Sequence, residues 1–436
     1  MQSADSGVQY PAMNTANYSL DAARALDSAD PLAKYRNQFF IPPGPDGQDC
    51  LYFTGNSLGL QPRRVQAMIQ EELDEWARLG VQGHMEGQRP WMPYHENFTE
   101  LNARLVGAKP HEVVQMNSLT VNLHLMMVSF YRPTPERPVI LIEKPAFPSD
   151  RHAAASQIRF HGFDPDSDLI EIEPREGEGH IRHQDLMDLI EQEGHRIALL
   201  LLPGVQYYSG QVFDMASITD LAQKKGAKVG FDLAHAAGNI PLKLHDWGVD
   251  FAAWCSYKYL NGGPGAIAGC FVHERHAKDD TLPRFAGWWG HDKSSRFKMG
   301  PEFHPIPGAE GWQLSNPPIL AMTPVLGALQ IFDEAGLDAL REKSLKLGDI
   351  LLAWLDERLA DKVAVITPRD HAQRGCQLSL RLKEGDGKAV FDELQANGVI
   401  CDWREPDVIR VAPVPLYNRF EDLYHFVERL EAAIKG

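Results

Sequence analysis

The sequence predicts an α/β chain, with a mostly parallel sheet in a large domain and a smaller α+β domain toward the C-terminus. Three observations carry that expectation. Between about residues 113 and 272, short apolar runs without polar interruption alternate with helical segments, the pattern of strands buried on both faces of a sheet. Pro317-Pro318 breaks the alternation, and a long helical region follows from about 319 to 360. Shorter strands and helices then complete a second unit. With 436 residues, 44% of them apolar, the chain has material for two or three domains, or for one large α/β unit with an appendage.

Taken in order, residues 1 to about 18 are small and polar and are expected to be disordered. Residues 19–80 read as an N-terminal arm that joins the small domain. Within it Val65, Met68, Ile69, Glu72, Leu73, Trp76 and Leu79 recur at helical spacing, and Gly80 stands where the helix would stop. The large domain is expected over 81–330. It opens with a helix from Glu96 to Leu105 that stops at Gly107. Its strands are expected at Pro138–Glu143, Ile197–Leu202, Lys228–Asp232, Phe251–Ser256 and Ala266–Val272. The small domain, 331–436, takes strands at Gln377–Leu382, Val399–Asp402 and Val408–Val411, with helices near 387–396 and 420–433. There is no internal repeat and no low-complexity tract.

A net charge of −16 argues against a nucleic-acid partner. Five cysteines, odd in number and without a C-x-x-C pair, predict free thiols in a reducing compartment. The N-terminus shows no basic region followed by an apolar run, and no apolar stretch approaches a membrane span. A cytoplasmic, soluble enzyme is the expectation. His180/His183 and His273/His276 have i, i+3 spacing but no acidic or cysteine partner at metal-site intervals, so no metal is expected. Asn17-Tyr-Ser and Asn97-Phe-Thr match the glycosylation pattern, which has no bearing on a cytoplasmic chain.

The chemistry concentrates around Lys258. It follows the apolar run Phe251–Cys255 and precedes Asn261-Gly-Gly-Pro-Gly265. A lysine leaving a buried strand beside flexible backbone suits Schiff-base formation with an aldehyde cofactor, because burial disfavours the ammonium form. Upstream, Lys228-Val-Gly-Phe-Asp232 reads as a strand ending in an acid, followed by His235. An acid, a histidine and, some two dozen residues later, a lysine is the layout of enzymes that use pyridoxal 5'-phosphate, in which the acid keeps the pyridine nitrogen protonated. The order of arm, large lysine-bearing domain and small domain is that of the aspartate aminotransferase-like fold, fold type I. Three further signals admit two readings each. Ser118 or Thr120 caps a helix, or the Thr120 hydroxyl with the Leu119 and Thr120 amides binds phosphate. Phe147 stacks on a flat cofactor at a strand end, or it is a core residue with Ser149 or Asp150 capping the next helix. Arg410 lies on a surface strand, or it is a buried guanidinium whose fork suits a carboxylate.

The segments Asn56–Pro62, Leu119–His124, Phe147-Pro-Ser-Asp150, Val229–His235, His245–Asp250, Ser256–Asn261, Ser315–Pro318, Arg374–Gln377 and Arg410–Asn418 together resemble the kynureninase family, from about residue 35 to the C-terminus. The resemblance implies cleavage of L-kynurenine to anthranilate and L-alanine, or of 3-hydroxykynurenine to 3-hydroxyanthranilate and L-alanine, in tryptophan degradation or on a route to quinolinate and NAD. It makes Lys258 the Schiff-base lysine, Asp232 the partner of the ring nitrogen and Tyr257 a proton carrier. It places Leu119, Thr120, Phe147, Pro148, Ser149, Asp150, His235 and Tyr257 at the cofactor. Trp288 and Asn316 are implied to reach the neighbouring subunit of a homodimer, and Ser57, His84, Asn316 and Arg410 to meet the substrate. Pro203 departs from the Ser or Thr common in the family, and no cofactor contact is assigned to it. The polar His84 and the Ser315-Asn316 pair favour the 3-hydroxy substrate. Two rivals remain: a cysteine desulfurase, which needs a reactive cysteine, or β-lyase of the same fold, and a binding module that has lost catalysis.

Overall fold

The computed structural model describes residues 18–279 and 281–436. The segment expected to be disordered, and Asn17 with it, lie outside the described residues apart from Tyr18. The chain enters through the helix Leu20–Ser28, capped by the Ser19 hydroxyl, and a short strand, β1 (Leu51–Tyr52). The helix Arg64–Leu79 buries Val65 and Met68, and ends at Gly80 with φ 54°. The helix expected from Glu96 starts instead as a 3-10 turn, Tyr94–Phe98. It becomes α-helical over Thr99–Val106 and stops at Gly107, left-handed at φ 62°.

Seven strands build the main sheet: β2 (Val113–Gln115), β3 (Val139–Glu143), β4 (Leu169–Ile172), β5 (Ile197–Pro203), β6 (Lys228–Asp232), β7 (Phe251–Trp254) and β8 (Gly269–Val272). Their spatial order is β2-β8-β7-β6-β5-β3-β4. From β7 to β4 all neighbours are parallel, and only β8 runs against both of its neighbours. Every residue of β3, β7 and β8 is buried, as expected of strands covered on both faces. β2 and β4 were not legible as strands: one has three residues and ends in Gln, the other is a half-buried edge. Strand β7 stops short of Ser256 and β8 starts at Gly269, later than expected. Between them Asn261, Gly263 and Gly265 have positive φ and hold the chain out of the ladder.

The long helical region divides at Gly336, φ 80°, into Ile319–Ala335 and Leu337–Leu359. Five short strands follow: β9 (Val363–Val365), β10 (Leu378–Leu382), β11 (Val399–Ile400), β12 (Asp402–Arg404) and β13 (Val408–Val411). Four of them form an antiparallel sheet in the order β12-β13-β10-β9, whereas β11 pairs in parallel with β1. The single strand expected over Val399–Asp402 is therefore two strands in different sheets. The helices Gly387–Ala396 and Phe420–Lys435 complete this unit. Its core joins Leu347, Leu351, Leu378 and Phe426 to Ala23, Leu26, Leu51 and Phe53, so the N-terminal segment packs into it. Among the described residues no helix is long and apolar enough to cross a membrane.

The parallel register aligns Pro203 with Asp232, and Asp232 with Ala253. The carboxyl ends of β3, β5, β6 and β7 thus share one edge of the sheet, where open α/β sheets bind ligands.

Candidate active site

Lys258 lies just beyond the end of β7, and its Nζ is 3.0 Å from His235 Nε2. The lysine turn is pressed against the N-terminal segment. Gly59 donates its N–H to the Tyr257 carbonyl at 2.8 Å, and a Cβ at Gly59 would lie 2.4 Å from the Lys258 carbonyl oxygen. Lys258 opens into a cavity of about 150 Å³ that is also lined by Leu119, Thr120, Glu143, Phe147, Ser149, Asp150, Pro203, Tyr207, Asp232, His235 and Tyr257.

Asp232 closes β6 and accepts the Ala234 N–H at 2.7 Å. Its side chain is hydrogen-bonded to that of Asp150. Burial, and then the charge of Asp232, push the Asp150 carboxyl well up. Burial also raises Asp232, against the Asp150 hydrogen bond, the Ala234 N–H and Lys258. Two carboxyls this close hold one proton and one charge between them. Burial, then the Lys258 charge, push His235 well down, so it is neutral; its Nδ1 is buried and has no partner.

The helix Leu119–Phe130 begins at the cavity. Ser118 occupies its N-cap position without a side-chain bond, so the capping expected of Ser118 or Thr120 is not what the structure shows. The Thr120 hydroxyl instead meets Ser149 Oγ at 2.9 Å. Phe147, 42% exposed, precedes the helix Pro148–Phe160, which starts with Pro148 at its first position and no side-chain cap bond. Neither Ser149 nor Asp150 caps that helix. The Phe147 ring stands edge-on to Tyr207 at 5.4 Å, and Lys258 Nζ lies 5.8 Å from its centroid. Tyr257 is half-buried, 6.0 Å from Nζ, and burial raises its phenol.

These groups fit pyridoxal phosphate: an amine, an acid pair for a cationic ring nitrogen, an unpartnered buried imidazole nitrogen, a flat aromatic, and the open amides of a helix start beside two hydroxyls.

Other expected residues stand apart from this cavity. Arg410 is fully buried, which excludes the surface-strand reading. Its Nη1 donates to the Tyr207 carbonyl at 2.6 Å and its Nη2 to Asp402 Oδ2 at 2.7 Å, while Nε has no partner. Ser57 is exposed in a neighbouring cleft with Asp402 and Arg404. His84 packs edge-on against Trp91 at 5.5 Å. Trp288 Nε1 donates to Asn316 Oδ1 at 3.0 Å, and neither residue lines the cavity. Glu143 and Tyr207 line it and were not singled out from the sequence. Glu143 carries the same signal as Asp232, an acid closing an apolar strand, whereas Tyr207 sits in a loop with no periodicity.

Among the described residues one group has metal-capable atoms close together. Glu112, His245 and His273 combine in space, rather than the His273/His276 pair of the sequence reading. The two rings stack at 5.0 Å with 12° between planes, and His273 Nδ1 accepts the Arg275 N–H. Parallel rings aim their lone pairs side by side rather than at one point, so the group reads as a hydrogen-bond hub. His276 is engaged with Asp250 at 2.8 Å.

Comparisons with known proteins agree with this geometry. The profile of the kynureninase C-terminal domain matches residues 340–430. A kynureninase of Koribacter versatilis is 58% identical over 418 residues, covering 96% of this chain and 97% of that one. A kynureninase of Myxococcus xanthus is 58% identical over 409 residues, 94% of this chain and 96% of its own. Among solved structures, a cysteine desulfurase from Thermococcus onnurineus superposes with a TM-score of 0.72 at 17% identity, covering 93% of this chain and 98% of that chain. The cystine C–S lyase C-DES, in complex with cysteine persulfide, gives 0.71 at 17% identity, covering 88% and 97%. At that identity the likeness speaks for the fold, which is fold type I.

Proposed function

The chain belongs to the kynureninase family of pyridoxal-phosphate-dependent hydrolases, and we propose that it cleaves the Cβ–Cγ bond of L-kynurenine or 3-hydroxy-L-kynurenine. The products are L-alanine and anthranilate or 3-hydroxyanthranilate. The observation that carries this reading is Lys258 Nζ standing 3.0 Å from a neutral His235 over a cavity floored by the Asp150–Asp232 pair.

When bound, pyridoxal phosphate supplies an electron sink for breaking bonds at the amino-acid carbons. Lys258 would hold it, with Phe147 and Pro148 against the ring, Asp232 and Asp150 at the ring nitrogen, and His235 offering its free Nδ1. The Leu119 and Thr120 amides, the Thr120 and Ser149 hydroxyls and Tyr257 would take its phosphate. Asp232 keeps its charge for the ring nitrogen because Asp150 takes the shared proton. The Lys258 amine, once free, removes the proton from substrate Cα. The one water consumed delivers its oxygen to Cγ and a proton to Cβ, and the Tyr257 phenol is the proton carrier this reading assigns to those steps. Arg410 grips the α-carboxylate. Trp288 and Asn316, remote from the cavity of their own chain, serve the neighbouring subunit of a homodimer. His84 and Asn316 there favour the 3-hydroxy substrate. The domain plan is an arm over 19–80, a large domain over 81–330 and a small one over 331–436, in a cytoplasmic enzyme of tryptophan degradation or quinolinate and NAD synthesis.

A desulfurase needs a reactive cysteine. All five cysteines are free and buried, and burial pushes the Cys376 and Cys401 thiols up to about 12. Purified protein is expected to be yellow and to release a fluorescent aromatic acid from both kynurenines, with the higher kcat/KM for the 3-hydroxy compound. Lys258→Ala is expected to lose the cofactor's visible absorbance and all measurable turnover. Normal turnover in that variant refutes the assignment, and a large preference for plain kynurenine refutes the substrate order.

A further inference from the structure

Arg410 is enclosed: its side chain has no exposed surface, and both of its amino groups are already bonded. An α-carboxylate arriving from solvent finds only its Nε free. A second guanidinium stands beside it. Across β12 and β13, Asp402 is in register with Arg410, and Asp402 also binds Arg404, with Oδ1 3.1 Å from Nε and Oδ2 3.2 Å from Nη2. Arg404 is 34% exposed and lines a cleft of about 410 Å³ with Ser57 and Asp402.

Two guanidiniums share one carboxylate, that of Asp402. Of the adjacent acids, Asp407 pairs with Arg381 at 2.9 Å, and Glu405 accepts from Trp403 Nε1 at 2.9 Å rather than from either arginine. The charges of both arginines are felt at His235, which lines the lysine cavity. A partly exposed guanidinium that shares its carboxylate with a second arginine and opens on a cleft is a seat for an anion.

Resting on the kynureninase reading, we propose that Arg404 is a second residue for the substrate's α-carboxylate, acting with Arg410 on either side of Asp402. Asp402 stays as the fixed acceptor that aligns the two forks. The substrate supplies a second carboxylate to forks that otherwise share one.

The test uses the holoenzyme with L-kynurenine as substrate and kynuramine, the same molecule without its carboxylate, as inhibitor. Arg404→Gln is expected to raise KM by about tenfold or more, the loss of a charge-assisted contact, with kcat changed less than about threefold. The inhibition constant of kynuramine is expected to stay within about twofold, since it makes no use of either arginine. Arg404→Lys, which keeps charge without the fork, is expected to fall between. An unchanged KM in Arg404→Gln overturns the proposal, as does a loss of kynuramine binding as large as that of kynurenine, which is the signature of a structural role. Arg410→Gln, run in parallel, tests the carboxylate assignment of Arg410 itself. If the wild-type protein fails to cleave kynurenine, the reading beneath the proposal falls with it. If it cleaves and only Arg404→Gln is silent, Arg404 alone is misassigned.

Discussion

Glu143 closes β3 with a carboxyl group that is almost wholly buried at the cavity edge. Burial first, and then the charges of Asp232 and Glu171, raise it from an ordinary 4.5 to about 8, against only its own backbone N–H. Its native form is therefore the neutral acid near pH 7, the third carboxyl of a pocket in which Asp150 and Asp232 already share a proton. The linkage sign follows. A folded-state value above the unfolded one makes its contribution full below about pH 4.5 and loses it as pH rises toward 8. Cofactor-free wild type is thus expected to lose thermal stability between pH 5 and 8 relative to Glu143→Gln, and the variant to melt several degrees higher at pH 8. Parallel Tm–pH curves for the two proteins refute this. The residue was legible in principle, since an acid ending an apolar strand was the signal that selected Asp232. No His and Lys follow Glu143 at a telling distance, and composition cannot show that β3 and β6, with β5 between them, bring a third carboxyl to the same edge.

At the scale of elements, the lysine turn is shaped by a segment two hundred residues away. Gly59 lies with its α-carbon against the Lys258 carbonyl and the Asn261 side chain, and an added Cβ would stand 2.4 Å and 2.3 Å from them. Asn261, itself left-handed at φ 57°, leaves the turn little freedom to retreat. Gly59→Ala is expected to displace the turn and lower kcat by about a hundredfold, as misplacing a reacting group by an ångström does. Far-UV circular dichroism is expected to stay native, and wild-type turnover in this variant refutes the claim. Nothing in the local pattern around Gly59 announces this contact. Periodicity reports which face of an element is buried, and it delimited β3, β6 and β13 within a residue. It is silent on which loop touches which. The same limit hid the split of Val399–Asp402 between two sheets, because an apolar run does not say which partner each end takes.

The core of the small unit and the large sheet meet at the catalytic cavity through the loop after β5. Arg410 Nη1 and Gln377 Nε2 both donate to the Tyr207 carbonyl, Ser379 Oγ to that of Tyr208, and Thr367 Oγ1 to that of Ser209. All four donors sit in or beside the small antiparallel sheet, whereas Tyr207 lines the cavity of the large one. Order in the cofactor pocket therefore depends on a core that contributes none of the residues lining it. Leu351, fully buried in that second core, is a remote place to test the dependence. Leu351→Ala removes about 2–5 kcal/mol of packing. If the loop couples the two cores, heating the holoenzyme should release the cofactor, followed by its visible absorbance, at a midpoint lowered together with that of the tryptophan fluorescence. A cofactor-release midpoint that stays at the wild-type temperature while the fluorescence midpoint falls would show that the pocket stands on the large sheet alone.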